Sequence, residues 1–148
     1  MPLVGILMGS ESDMEVMKLT AEVLDGLGIS SETRVMSAHR NPGEVMEYAS
    51  GAAGRGLRVL VAGAGLAAHL AGALAANTAL PVIGVPLAAG PLAGIDALLS
   101  TVQMPGGVPV ATMAIGPHGA RNAGWLAARI LALGDAGLAA RLDGALRG

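Results

Sequence analysis

The sequence predicts an α/β chain folded as a doubly wound parallel sheet in one domain, and three observations predict it. Short apolar runs of strand length alternate with stretches that carry apolar residues at helical spacing. The links between them are short and hold Gly, Ser, Asn and Pro. The 148 residues show no composition break, internal repeat or low-complexity linker, so 1–148 reads as a single unit with one core. Alternation of this kind implies parallel strands covered by helices on both faces.

Leu3 to Met8 is the first buried strand, ending at Gly9-Ser10. Ser12 then precedes Met14, Met17, Ala21, Leu24 and Leu27 at helical spacing; Ser12-x-x-Glu15 has the form of a capping box, and Gly28 is the natural stop. Thr33 to Met36 makes a second strand, followed by the loop Ser37-Ala38-His39-Arg40. The next helix opens with Asn41 as cap, Pro42 in the first turn and Glu44 able to reach back. Leu57 to Ala62 is the third strand, with Gly63-Ala64-Gly65 as the turn after it and a helix through Ala76. Pro81 to Val85 is the fourth strand, Leu92 to Val102 a helix, and Val110 to Ile115 the fifth strand behind the rigid turn Pro105 to Pro109. Closing helices fill about 120 to 147, as Ala120 to Leu133 and Asp135 to Arg147 broken at Gly134.

The formal charge of −2 and pI near 5.8 supply no basic field, which argues against a nucleic-acid partner. Absence of Cys excludes disulfides and thiol chemistry. The N-terminus lacks the basic segment and long apolar stretch of a signal peptide, so a cytoplasmic location is expected. From Val59 to Ala120 the only formally charged residue is Asp96. His69, Asn77, Pro81, Pro86 and Pro91 interrupt that run, which argues against a membrane span. The expectation is burial both within the protomer and against other copies, making the chain a homo-oligomer.

In open parallel sheets ligands sit beyond the carboxyl ends of the strands. Ser10, Ser12 and Asp13 follow the first strand, Ser37, Ala38, His39 and Arg40 the second, and Gly63, Ala64 and Gly65 the third, with His69 nearby. Ser10 and Ser12 stand at a helix start, where free N–H groups favour an anion. Arg40 offers a fixed bidentate cation for phosphate, Ser37 a hydroxyl, and Asp13 an acceptor for ribose hydroxyls. His39 is the natural proton donor and acceptor, its unperturbed pKa of about 6.5 lying near working pH. Each has a plainer reading. Ser12 serves as a cap, Asp13 as a dipole partner, Arg40 as a surface charge, and His69 as a core histidine. Their shared edge of the sheet shifts the balance toward a nucleotide monophosphate site.

Gly63-Ala64-Gly65-Leu66-Ala67-Ala68 fits the dinucleotide fingerprint only weakly, because Leu80 to Val85 holds no carboxylate for the adenosine ribose. With Tyr48 and Trp125 as the only aromatics, little is available to sandwich a flavin. His39, His69 and His118 are far apart in sequence, with no Cys to join them, so a metal site has no support. Neither a nucleophile elbow nor a P-loop is present.

Five blocks, in order, are similar to the PurE family: Met8-Gly9-Ser10-x-Ser12-Asp13, Ser37-Ala38-His39-Arg40-x-Pro42, Ala62-Gly63-Ala64-Gly65-x-Ala67-Ala68-His69-Leu70, Pro81 to Pro86, and Val102-Gln103-Met104-Pro105-x-Gly107-Val108-Pro109-Val110. The resemblance implies a three-layer flavodoxin-like fold, a homo-octamer, and no metal or organic cofactor. It implies interconversion of N5-carboxyaminoimidazole ribonucleotide and 4-carboxyaminoimidazole ribonucleotide in purine biosynthesis. His39 is then the general acid/base, Ser10, Asp13 and Arg40 bind the nucleotide, and the glycine loop lines the site. A related branch carboxylates aminoimidazole ribonucleotide directly with carbon dioxide and tends to carry Lys after the histidine, so Arg40 points to the mutase. A non-catalytic nucleotide-binding module is the rival from another class, and it leaves His39 without a purpose. Leu66 stands where the family commonly has Gly and Ala71 where it has Pro. The short C-terminus is expected to weaken subunit contacts, and His118 is assigned no role.

Overall fold

The computed structural model describes all residues, Met1 to Gly148. Five strands, β1 (Val4–Met8), β2 (Ser31–Val35), β3 (Val59–Gly65), β4 (Val82–Leu87) and β5 (Ala111–Thr112), form one all-parallel sheet in the order β2-β1-β3-β4-β5. Six helices connect and cover them: α1 (Met14–Gly26), α2 (Pro42–Ala52), α3 (Leu70–Ala75), α4 (Ile95–Val102), α5 (Pro117–Ala132) and α6 (Ala136–Arg147). The flavodoxin-like, doubly wound architecture expected from the sequence is thus the one observed.

Side-chain alternation along the strands divides the core in two. Val4, Ile6 and Met8 of β1 join Val59 and Val61 of β3 beneath Met17, Leu24, Ala120, Ala123 and Ala127 of α1 and α5. Leu7, Leu60 and Ala62 point the other way, onto Val45, Ala49, Leu70 and Leu74 of α2 and α3. Both faces are covered, which is why β1, β3 and β4 read as continuous apolar runs rather than alternating ones. Helices α1 and α5 cross closely because the α5 residues at the contact are small. A Cβ added at Gly124 would lie 2.9 Å from Val23 Cβ and 3.0 Å from the Thr20 carbonyl oxygen. The buried Thr20 hydroxyl donates to the Ala120 carbonyl at 2.7 Å, joining the two helices.

Beneath β1, the Tyr48 ring fills the space that a side chain at Gly5 would need. Burial, reinforced by the charge of Glu32, pushes the Tyr48 hydroxyl up to about 12. That hydroxyl is buried without a hydrogen-bond partner. An unsatisfied buried hydroxyl costs about 1–3 kcal/mol. Tyr48→Phe is therefore expected to leave thermal stability unchanged or raise it by about 1 kcal/mol. A loss of stability on denaturant titration would show that the hydroxyl is bonded after all.

The structure corrects several boundaries. Gly63-Ala64-Gly65 is not a turn: it pairs with Val85, Pro86 and Leu87 as the end of β3. Small residues are required there by packing, since a Cβ at Gly63 would run into the Met17 sulfur and one at Gly65 would lie 2.8 Å from Ala89 Cβ. The capping box at Ser12 does not form. Ser12 instead hydrogen-bonds Ser10 Oγ at 2.9 Å, a 3-10 turn over Glu11–Asp13 intervenes, and α1 starts at Met14. Asn41 likewise makes no side-chain cap, because its Oδ1 accepts from the Ser37 N–H. Strand β5 shrinks to two residues at the sheet edge, between Pro109, which has no N–H to donate, and the turn into α5. No helix is long and apolar enough to cross a membrane.

Candidate active site

Strand order reverses between β1 and β3, which opens a crevice at the carboxyl end of the sheet. The loops after β2 and β3 flank β1 there and face each other across its end. Two adjoining hollows of about 300 and 320 Å³ lie in this crevice, and both are lined by Ser10, Ser37, His39, Arg40, Gly65 and Leu66.

Each loop is held by its own local bonds. In the first, the Ser10 hydroxyl accepts from the Ser12 N–H at 3.3 Å, and the Ser10 carbonyl from the Asp13 N–H at 3.0 Å. The Gly9 N–H donates to the Gly63 carbonyl at 3.3 Å, fastening this loop to β3. In the second, Ser37 Oγ accepts from the N–H groups of both His39 and Arg40, at 3.3 and 3.2 Å. That turn presents the two side chains together to the crevice. In the third, the Ala68 N–H donates to Ser100 Oγ at 2.9 Å, tying the loop to α4.

The two histidines of the second and third loops meet. His39 Nε2 lies 2.7 Å from His69 Nδ1, with the rings edge to face at 85° and 4.8 Å between centroids. At that distance one nitrogen carries a hydrogen and the other offers a lone pair, so the tautomers of the two rings are coupled. His69 is exposed at the crevice, not enclosed in the core. Arg40 is exposed and makes no ion pair with any acidic residue of the chain, which leaves its charge free for an anion. Burial raises the Asp13 carboxyl above its ordinary value, partly opposed by the Ser10 backbone hydrogen bond. A carboxylate in that condition gains from a hydroxyl donor placed against it.

Of the residues singled out from the sequence, Ser10, Ser12, Asp13, Ser37, Ala38, His39, Arg40, Ala64, Gly65 and His69 all line the crevice. Gly63 does not. It sits one residue back inside β3, turned toward Met17, and reaches the site only through its carbonyl contact with Gly9. His118, in the first turn of α5, lines neither hollow. Sequence reasoning missed Gly9, Leu66, Ala67, Leu70 and Ala89 as lining residues. Ala89 comes from the loop after β4, a fourth contributor that its lack of any polar group conceals. The contact of His39 with His69 was also missed, since it follows only from a sheet order that sets β2 and β3 on either side of β1.

A larger hollow of about 830 Å³ lies between α5 and α6, lined mainly by apolar side chains such as Met113, Trp125, Leu126 and Leu142. Arg129 and Asp143 are its only ionisable groups. Size alone does not make a site for chemistry. Converging acid, base and anion-binding groups do, and these lie at the crevice.

The fold and the crevice together define a doubly wound α/β protein with a paired imidazole at its switch point. The sequence model of the AIR carboxylase family matches residues 3–147, and the chain belongs to that family. It is 58% identical over 142 residues to the N5-carboxyaminoimidazole ribonucleotide mutase of Bacillus subtilis, covering 96% of this chain and 88% of that one. Against the enzyme of the same name from Thermotoga maritima the identity is 57% over 133 residues, with 90% and 77% covered. Among solved structures, Treponema denticola PurE superposes with a TM-score of 0.87 at 31% identity, covering 99% of this chain and 90% of that one.

Proposed function

We propose that this chain interconverts N5-carboxyaminoimidazole ribonucleotide and 4-carboxyaminoimidazole ribonucleotide in purine biosynthesis. The observation that carries the reading is the convergence, in one crevice, of an imidazole pair, an unpaired Arg40 and the Ser10–Asp13 turn. The phosphate is held by Ser10, Ser12 and Arg40, with Ser37 beside them, and the ribose hydroxyls donate to Asp13. Ala38, Ala64 and Gly65 leave room for the heterocycle, which then stands against His39 and His69.

The chemistry balances with a single imidazole. His39 gives a proton to the exocyclic nitrogen as the nitrogen to carboxyl-carbon bond breaks, releasing carbon dioxide and the free amine. Ring C4 attacks the carbon dioxide, a carbon to carbon bond forms, and C4 loses its hydrogen as a proton to the same imidazole. One proton leaves His39 and one returns, so no co-reactant is consumed. General acid/base catalysis of this kind contributes about 10²- to 10⁴-fold. His69, at 2.7 Å, fixes the tautomer in which His39 performs both transfers.

We also infer that copies of the chain assemble, as the octamer that the resemblance implies, in the cytoplasm. Ile95, Leu99 and Val102 form an exposed apolar stripe at helical spacing on α4, extended by the exposed Leu92 in the turn before it, in the segment where Asp96 is the only charge. A stripe of that kind is covered in obligate assemblies.

The test is substrate choice. Supplied with the carbamate nucleotide alone, the purified chain is expected to form the 4-carboxy isomer, followed by absorbance. Formation only from the free amine plus bicarbonate would assign the direct carboxylation instead. No product from either supply would leave a nucleotide-binding module.

A further inference from the structure

The loop after β3 carries His69 to the imidazole contact, and it has few bonds to hold it there. Between the end of β3 and the start of α3, the His69 N–H donates back to the Ala67 carbonyl at 3.0 Å, and the His69 carbonyl accepts from the Ala73 N–H of α3 at 2.9 Å. The one hydrogen bond from the backbone of Leu66 to His69 to any other part of the chain runs from the Ala68 N–H to Ser100 Oγ, at 2.9 Å. Ala68 is 2% exposed, so water has little access to replace that acceptor.

Ser100 is set up to accept. Its own hydrogen is committed within α4, to the Asp96 and Ala97 carbonyls at 2.8 and 3.2 Å, which leaves an oxygen lone pair for the Ala68 N–H. The helix that carries it is fixed in turn. Ala97 and Thr101 are buried, and the Thr101 methyl occupies the space over Gly84 of β4, 2.5 Å from where a Cβ there would stand. Helix α4 is therefore a rigid mount, Ala68 is fastened to it, and the next residue is His69. The 2.7 Å contact of His69 with His39 depends on that mount, since a hydrogen bond of this kind weakens once its atoms are more than about 3.2 Å apart. We propose that Ser100 is a positioning residue: by holding the Ala68 N–H it keeps the His69 ring against His39, and so fixes the tautomer in which His39 transfers its proton. The inference rests on the mutase reading for its effect on rate, and on the hydrogen bonds alone for its effect on the imidazole pair.

The test compares wild type with Ser100→Ala and Ser100→Thr. Alanine removes the acceptor and is the better helix former, so α4 itself is not weakened. Threonine restores a hydroxyl that can bond back to its own helix in the same way. Two readouts are taken: kcat and KM with the carbamate nucleotide, and nitrogen-15 solid-state spectra of histidine-labelled protein at a pH where all the imidazoles are neutral. Wild type should show His39 and His69 each in one tautomer, with the exposed His118 as the mixed reference. Ser100→Ala is expected to mix the tautomers of the pair and to lower kcat roughly tenfold, with KM within about twofold because Ser10 and Arg40 are untouched. Ser100→Thr should return both readouts toward wild type. Tautomer signals in Ser100→Ala identical to wild type overturn the proposal even where kcat falls, because the serine then acts on the fold alone. Mixed tautomers with an unchanged kcat overturn it as well, and so does a threonine variant that restores neither readout. A wild type that forms no 4-carboxy product refutes the mutase reading by itself, while the spectra still decide whether Ser100 holds the pair.

Discussion

Replacing His39 by Asn is expected to lower kcat by about 10²- to 10⁴-fold while leaving the fold and nucleotide affinity nearly unchanged. The loss is large because one imidazole carries both proton transfers, and no other titratable group in the crevice duplicates it. His69 lines the same hollow, but its Nδ1 is engaged by His39 Nε2, and Asp13 belongs to the loop after β1. The fold is spared because His39 is exposed and its turn is held through its backbone N–H, which donates to Ser37 Oγ whatever the side chain. Asn occupies a similar volume and can still hydrogen-bond His69, but it cannot exchange a proton near neutral pH. Absorbance assays give the loss in kcat, and calorimetric titration with the 4-carboxy nucleotide gives the retained affinity. A kcat within tenfold of wild type would remove His39 from the mechanism.

The largest expected effect on stability comes from a position with no chemistry. Gly119 lies in the first turn of α5, where an added Cβ would collide with the carbonyl oxygen and carbon of Ala114. Both obstacles are backbone atoms, so no rotamer change relieves the clash, and the turn from β5 into α5 has to open. Overpacking of this kind costs about 3 kcal/mol or more. In a chain of this size that lowers Tm by roughly 6–12 °C. Gly51, inside α2 with open space around it, provides the control. Gly51→Ala should raise stability by about 0.4–1 kcal/mol, since it reduces the freedom of the unfolded chain without meeting any atom. Equal melting temperatures for Gly119→Ala and wild type would show that the Ala114 to Gly116 turn is placed differently.

The sequence carried the layers of the fold well because apolar periodicity is dictated by burial. Val4, Ile6 and Met8 face one helix layer and Leu7 the other, and no alternative register satisfies both. Most of the crevice was legible for a related reason: polar residues placed directly after buried strands have only the sheet edge to occupy. What failed was whatever depends on a distant neighbour. Gly63 and Gly65 look like a turn from their identity, yet Met17 and Ala89 are the reason they are small. The competition between Ser10 and Ser12 for the first helix cap turns on a single hydroxyl contact. The imidazole contact depends on strand order, and the seat of the Leu66 side chain on the space left at Gly90 in the loop after β4. Neither leaves a periodic trace.

The most direct test of the account is the crystal structure of the protein with aminoimidazole ribonucleotide bound. A ring nitrogen of His39 should lie about 3–3.5 Å from the exocyclic nitrogen or C4 of the heterocycle. The 5′-phosphate should sit between Ser10, Ser12 and Arg40. A nucleotide bound with its base turned away from His39, or with its phosphate outside that turn, would contradict the mechanism at its root.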